Sequence, residues 1–166
     1  MTKQEFKEFC HEEFLKRGFV KKRAMYYLQG KEILCGFYLQ KSMAEAFYVE
    51  YDFFLDYFDA KTYPTTYEAD ISWRISVLSK DTINGEHFMD ACIEYERYKK
   101  EEIKYYLDKE FDEHIIPIIQ NGRERLMQDL EYYYEQMFDE EKKIVLKKLE
   151  CDEKCRHGLK HHMNRK

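Results

Sequence analysis

Two carboxylates and a guanidinium stand where pleated strands would bring them side by side. Glu50 and Asp52 alternate with Val49, Tyr51 and Phe53, and Arg74 alternates with Trp73 and Ile75, so all three fall on the polar faces of their strands. Paired carboxylates serve acid–base chemistry when their surroundings push the two pKa values apart. No histidine or nucleophile accompanies this pair, and cross-strand charge pairing accounts for the same residues without any reaction. Tyr48 shares the face. Together Tyr48, Glu50, Asp52 and Arg74 make a candidate contact surface for another protein.

A second group is cationic. Lys21, Lys22 and Arg23 lie close along one segment, and Gln40, Lys41 and Ser42 end another. A hairpin between them would gather Lys22, Gln40 and Lys41 as donors for an anion. Strand alternation works against all of these residues sharing a face, and lysines that keep a sheet edge soluble explain them as well. A third group lies at the C-terminal end, where Cys151, Cys155, His157 and His161 follow a C-x3-C-x-H-x3-H spacing. That departs from the common zinc patterns, so no metal is expected. Cys10 and His11 are adjacent on a helix and diverge by about 100 degrees, so they are no nucleophile–base pair. Phosphate-cradling glycine loops, nucleophile elbows, H-E-x-x-H and dinucleotide fingerprints are absent. No catalytic residue and no cofactor is expected, which weighs against an enzyme without excluding one.

The elements that must position these residues follow from a switch of hydrophobic period. Phe6, Phe9, Cys10 and Phe14 share one face of a helix from Lys3 to Arg17, begun by the Thr2/Glu5 capping box with Met1 and Phe6 as staple and stopped at Gly18. Alternation then predicts four antiparallel strands: Val20 to Leu28, Ile33 to Gln40, Phe47 to Leu55 and Ile71 to Val77, with a polar connection around Pro64. Ile33, Cys35, Phe37, Phe47, Val49, Tyr51, Trp73 and Ile75 would face the helix, leaving Tyr48, Glu50, Asp52 and Phe54 on a wetter side. Beyond Ser79 the spacing of Phe88, Cys92 and Tyr95 reads as helical. Further stripes follow at Ile103, Leu107, Phe111 and Ile115, interrupted by Pro117, and at Leu126, Leu130, Tyr133, Tyr134 and Met137. Asp139 would cap a last helix carrying Ile144, Val145 and Leu149.

The 166 residues therefore suggest a single α+β domain: an N-terminal helix and four-stranded antiparallel sheet over 1–80, a helical half over 81–150, and a basic, mobile tail over 151–166. Fifteen tyrosines and twelve phenylalanines point to a core and rim built from aromatics. The alternative is an exposed tyrosine-rich contact surface. No stretch is apolar enough to span a bilayer, the start lacks a leader pattern, and five cysteines read as reduced thiols, so a cytoplasmic location is expected. Residues 142–166 carry nine Lys or Arg against three Asp or Glu, which leaves −11 on residues 1–141 within the total of −5. An acidic body with a basic tail is unlike a nucleic-acid reader, except through the tail itself.

Leu15-Lys16-Arg17-Gly18-Phe19 followed by Lys21-Lys22, then Tyr26 or Tyr27, then Leu39-Gln40-Lys41-Ser42, then Phe47-Tyr48-Val49 form an ordered set. In this set the chain resembles the bacterial family known as domain of unknown function 4304, in which a helix runs into a GF-x-KK strand and a later strand ends in QKS. The resemblance implies an α+β fold and carries no catalytic residue with it. The functional expectation is a small cytosolic, non-catalytic protein-binding module, in one version an immunity-type protein that masks a basic toxin. The alternative is an enzyme or binding protein for an anionic small molecule at Lys22, Gln40 and Lys41. Homo-oligomerisation through Tyr132, Tyr133 and Tyr134 is a further expectation.

Overall fold

The first helix begins and ends as its sequence dictates. In the computed structural model, which describes residues 1–57, 63–134 and 137–150, α1 spans Lys3–Lys16. The Glu5 amide donates to Thr2 Oγ1 at 3.2 Å, and the Thr2 amide donates back to the Glu5 carboxylate at 2.7 Å. At the other end Gly18 adopts φ 88°, so that its N–H reaches Leu15 O at 3.0 Å and the Phe19 N–H reaches Phe14 O at 3.1 Å. This paired closure needs a left-handed residue, which glycine supplies without a Cβ clash. It turns Phe19 back toward the helix, its ring centroid 6.3 Å from that of Phe14.

Five strands follow as an antiparallel meander in the order β1 (Val20–Lys22), β2 (Met25–Gln29), β3 (Leu34–Lys41), β4 (Phe47–Phe54) and β5 (Ile71–Ile75). The expected strand from Val20 to Leu28 is thus two strands. Arg23 takes φ 58° and the chain reverses over Arg23 and Ala24, placing Lys22 opposite Met25. Neither turn residue is one of the usual glycine or asparagine markers, which is why the reversal left no mark in the sequence.

A second correction concerns the residues after Ser79. The chain there is extended, not helical: β6 (Val77–Ile83) and β7 (Glu86–Asp90) form a separate hairpin. Asn84 at φ 54° and Gly85 at φ 85° make its turn, a hairpin signal the sequence does contain. Phe88 lies on β7 and Tyr95 in a short 3-10 turn, so their helical spacing with Cys92 is coincidental.

The helical half begins with α2 (Lys100–Glu110) and runs through a π-helical turn, Phe111–Ile115, into α3 (Ile116–Asn121), then α4 (Arg123–Gln128), α5 (Leu130–Tyr134) and α6 (Asp139–Glu150). The wide turn sits immediately before Pro117, which lacks the amide donor a regular turn would use. Asp139 lies inside the first turn of α6 and is not its cap; the Glu141 carboxylate accepts from the Phe138 amide at 2.9 Å. The stripe residues Ile103, Leu107, Phe111, Ile115, Leu126, Leu130, Tyr133, Val145 and Leu149 are buried, whereas Ile144 is exposed.

One cluster joins α1, the inner sheet face and these helices. At its centre Phe37 is fully buried, with the rings of Phe14, Tyr51 and Phe111 at centroid distances of 4.7, 5.3 and 5.1 Å. Aromatic side chains carry this core, as the composition suggests. The other sheet face is not the wetter side that alternation implied. Met25, Tyr27, Leu34 and Phe54 form a second buried cluster there, flanked by Tyr38, Tyr57 and Ala69. The β4–β5 connection folds back over it: Tyr63 packs 4.8 Å from Tyr27 by ring centroid, and the Tyr27 hydroxyl donates to Pro64 O. The cysteine and histidine ligand set at 151–166 lies outside the described residues.

Candidate functional site

The cross-strand register assembles the expected polar set on the outer sheet face. Glu50 stands directly opposite Arg74 on β5 and opposite Tyr38 on β3, while Asp52 faces Ser72 on β5 and Gly36 on β3. Arg74 Nε donates to Glu50 Oε1 at 2.5 Å and Nη2 donates to Gln40 Oε1 at 3.3 Å. Its guanidinium carbon lies 4.3 Å from the Tyr48 ring centroid. The guanidinium is therefore held by a carboxylate, an amide and a ring, yet its side chain remains 43% exposed. A planar cation fixed this way loses little freedom when it meets a partner.

Asp52 is the most perturbed group on this face. It is fully buried; the Ser72 hydroxyl donates to Oδ1 at 2.7 Å, and Oδ2 has no hydrogen-bond partner among the described residues. Burial, helped by the neighbouring Glu50 charge and opposed by the Ser72 hydrogen bond, pushes its carboxyl up to about 7. Such a group changes charge near neutrality, a property shared by catalytic bases and by structurally trapped acids. Ser72 also lines a concavity of about 310 Å³ between β5 and α6. A serine–aspartate pair alone lacks the orienting third group that nucleophilic catalysis uses.

The structure separates the proposed anion ligands. Lys22 and Gln40 share a sheet face by register, but Lys22 lies on β1, two strands from β3, while Lys41 points to the opposite side from Gln40. Lys22 Nζ rests 5.3 Å from the Tyr63 ring centroid. All three residues are exposed.

A half-buried polar cluster has no signature in the sequence. Glu110, the last residue of α2, accepts from the Tyr51 hydroxyl at 2.5 Å and from the Tyr132 hydroxyl at 3.0 Å, and Tyr132 accepts in turn from Trp73 Nε1 at 3.2 Å. His114, inside the π turn, stacks on Tyr132 with centroids 3.7 Å apart. Burial raises the Glu110 carboxyl above its ordinary range, against the hydrogen bonds and the His114 charge that lower it. Glu110 and His114 stand four apart, which marks one helix face, but only the fold brings Tyr51 and Trp73 to them. Tyr132, Tyr133 and Tyr134 are accordingly engaged within the chain: Tyr133 is fully buried and Tyr134 half-buried beneath Lys142, whose Nζ lies 5.5 Å from its ring centroid.

Fold and site together define an α+β protein in which helices back an antiparallel sheet and a cross-strand arginine–carboxylate pair sits on the opposite face. A family model for a domain of unknown function, DUF4304, matches residues 10–121, and the chain belongs to that family. The match runs from within α1 through α3, well past the first-third motifs, and leaves α4 to α6 outside it. No curated protein and no solved structure matches the chain. Among the described residues no helix is long and apolar enough to cross a membrane.

Proposed function

We propose that this protein is a non-catalytic protein-binding module whose contact surface is the outer sheet face at Tyr48 and Arg74, seated on the buried carboxylates of Glu50 and Asp52. The carrying observation is the preset guanidinium of Arg74, stacked on Tyr48 and tied to Glu50 and Gln40 while still partly open to solvent. Arginine and tyrosine are the residue types that anchor protein interfaces. Exposed Tyr67 and Met43 extend the apolar contribution of the loops that border the sheet. A cytoplasmic setting agrees with the free thiols of Cys10, Cys35 and Cys92. In an immunity-like version the partner is a basic toxin, which the −11 carried by residues 1–141 would attract.

The test compares capture of a protein partner from the native host by the wild type, Tyr48→Ala and Arg74→Lys. Lysine keeps a charge beside Glu50 but loses the planar stacking, so both variants are expected to fold and to lose at least about tenfold in affinity. A partner bound equally by all three removes this face from consideration. The alternative, an enzyme or binding protein for an anionic small molecule at Lys22, Gln40 and Lys41, has less support. Those side chains are exposed and line neither the concavity at Ser72 nor a larger one beside α2.

A further inference from the structure

The larger concavity, about 530 Å³, lies between the β6–β7 hairpin and the start of α2. Tyrosine rings and hydrogen-bond acceptors form its walls. Tyr98 is buried, with its hydroxyl donating to Leu78 O at 3.2 Å, and Tyr105 is exposed and meets Tyr106 edge-on at 5.0 Å. His87 Nδ1 lies 2.8 Å from Ser79 O and 3.2 Å from Asp81 O. Both neighbours are carbonyl acceptors, so Nδ1 is the donor and, in the neutral ring, Nε2 is the acceptor. Glu101 has no salt-bridge partner among the described residues.

An ammonium already occupies part of this space. Lys80 Nζ sits 5.0 Å from the Tyr98 ring centroid and donates to the Glu102 carboxylate, the arrangement of a cation over an aromatic face with an anion at its side. Glu101 and Glu102 lie in the first turn of α2 and offset its positive end, so a second cation meets little opposition there. We propose that this concavity is a binding site for an alkylammonium group, which displaces Lys80 from Tyr98 and is held by the tyrosine rings, Glu101 and His87 Nε2. A free polyamine and a lysine side chain present the same chemistry. The site is independent of the sheet face.

Calorimetric and amide-resolved NMR titrations with putrescine and with Nα-acetyl-lysine methylamide, at fixed ionic strength, test the assignment. Saturable binding with a Kd on the order of 1 mM or tighter is expected, with shifts centred on His87 and Tyr105. Lys80→Ala removes the internal competitor and should tighten binding about fivefold, whereas Glu101→Gln and Tyr105→Ala should each weaken it about threefold to tenfold. Glu12→Gln, on the exposed side of α1, should change nothing. Tighter binding of putrescine assigns a free polyamine and tighter binding of the lysine amide assigns a polypeptide. Titrations without saturation, weaker binding by Lys80→Ala, or equal losses for Glu12→Gln and Glu101→Gln would overturn the proposal.

Discussion

Replacing Asp52 by Asn should stabilise this protein at neutral and alkaline pH. The carboxyl is fully buried and stands beside the buried Glu50; burial first and the Glu50 charge second raise it, against the one hydrogen bond it receives from Ser72, from its ordinary value near 3.8 to about 7. Because the folded state holds the proton more tightly than the unfolded state, stability is greatest at acid pH. It falls as pH rises from about 4 to about 7 and is level beyond. A shift of about 3 units corresponds to at most about 4 kcal/mol lost across that window. Asparagine keeps the shape of the protonated acid and an oxygen to accept from Ser72, and it does not ionise. Urea unfolding of both proteins between pH 4 and pH 9 isolates the effect, since other titrating groups cancel in the difference. The two curves should coincide near pH 4 and separate by up to about 4 kcal/mol at pH 8, with Asp52→Asn the more stable. Equal stability at pH 8, or a constant offset at every pH, would refute the reasoning.

Glu13 titrates with the opposite sign. Burial opposes its ionisation, but Arg17, Lys16 and Lys104 outweigh that and bring it down to about 2; Glu13→Gln should lose about 3 kcal/mol at pH 7, a deficit that disappears as pH falls from about 4.5 to 2 in denaturation curves. Gly30→Ala should cost about 2 kcal/mol or more in the thermal midpoint, because the new Cβ would lie 2.5 Å from the Ile119 carbonyl oxygen that already accepts from the Lys31 amide. Phe37→Ala, at the meeting point of the rings of Phe14, Phe19, Tyr51 and Phe111, should cost about 3–5 kcal/mol in urea unfolding.

Local signals were legible where neighbours along the chain carry them. The Thr2/Glu5 box, the Gly18 stop, the α1 stripe and the inward alternation on β3, β4 and β5 follow from periods of 3.6 and 2, which any short window contains. The α+β class and the burial of Ile33, Phe47, Val49, Trp73 and Ile75 in the main core follow from those alone. The Arg23–Ala24 reversal and the β6–β7 hairpin were hidden, the first by an unmarked turn and the second by an accidental helical spacing of Phe88, Cys92 and Tyr95.

Tertiary structure decided everything that depends on what lies across from a residue. Alternation placed Glu50, Asp52 and Arg74 on one side of the sheet, but register alone paired Arg74 with Glu50 and left Asp52 to Ser72. Whether that side is wet was settled by the β4–β5 connection, which folds Tyr63 and Pro64 onto Tyr27. Glu110 reads as an ordinary surface carboxylate until Tyr51 and Tyr132, from 59 and 22 residues away, donate to it. Periodicity assigns a direction to each side chain; burial and partners are properties of pairs distant in sequence, and only the folded chain brings those pairs together.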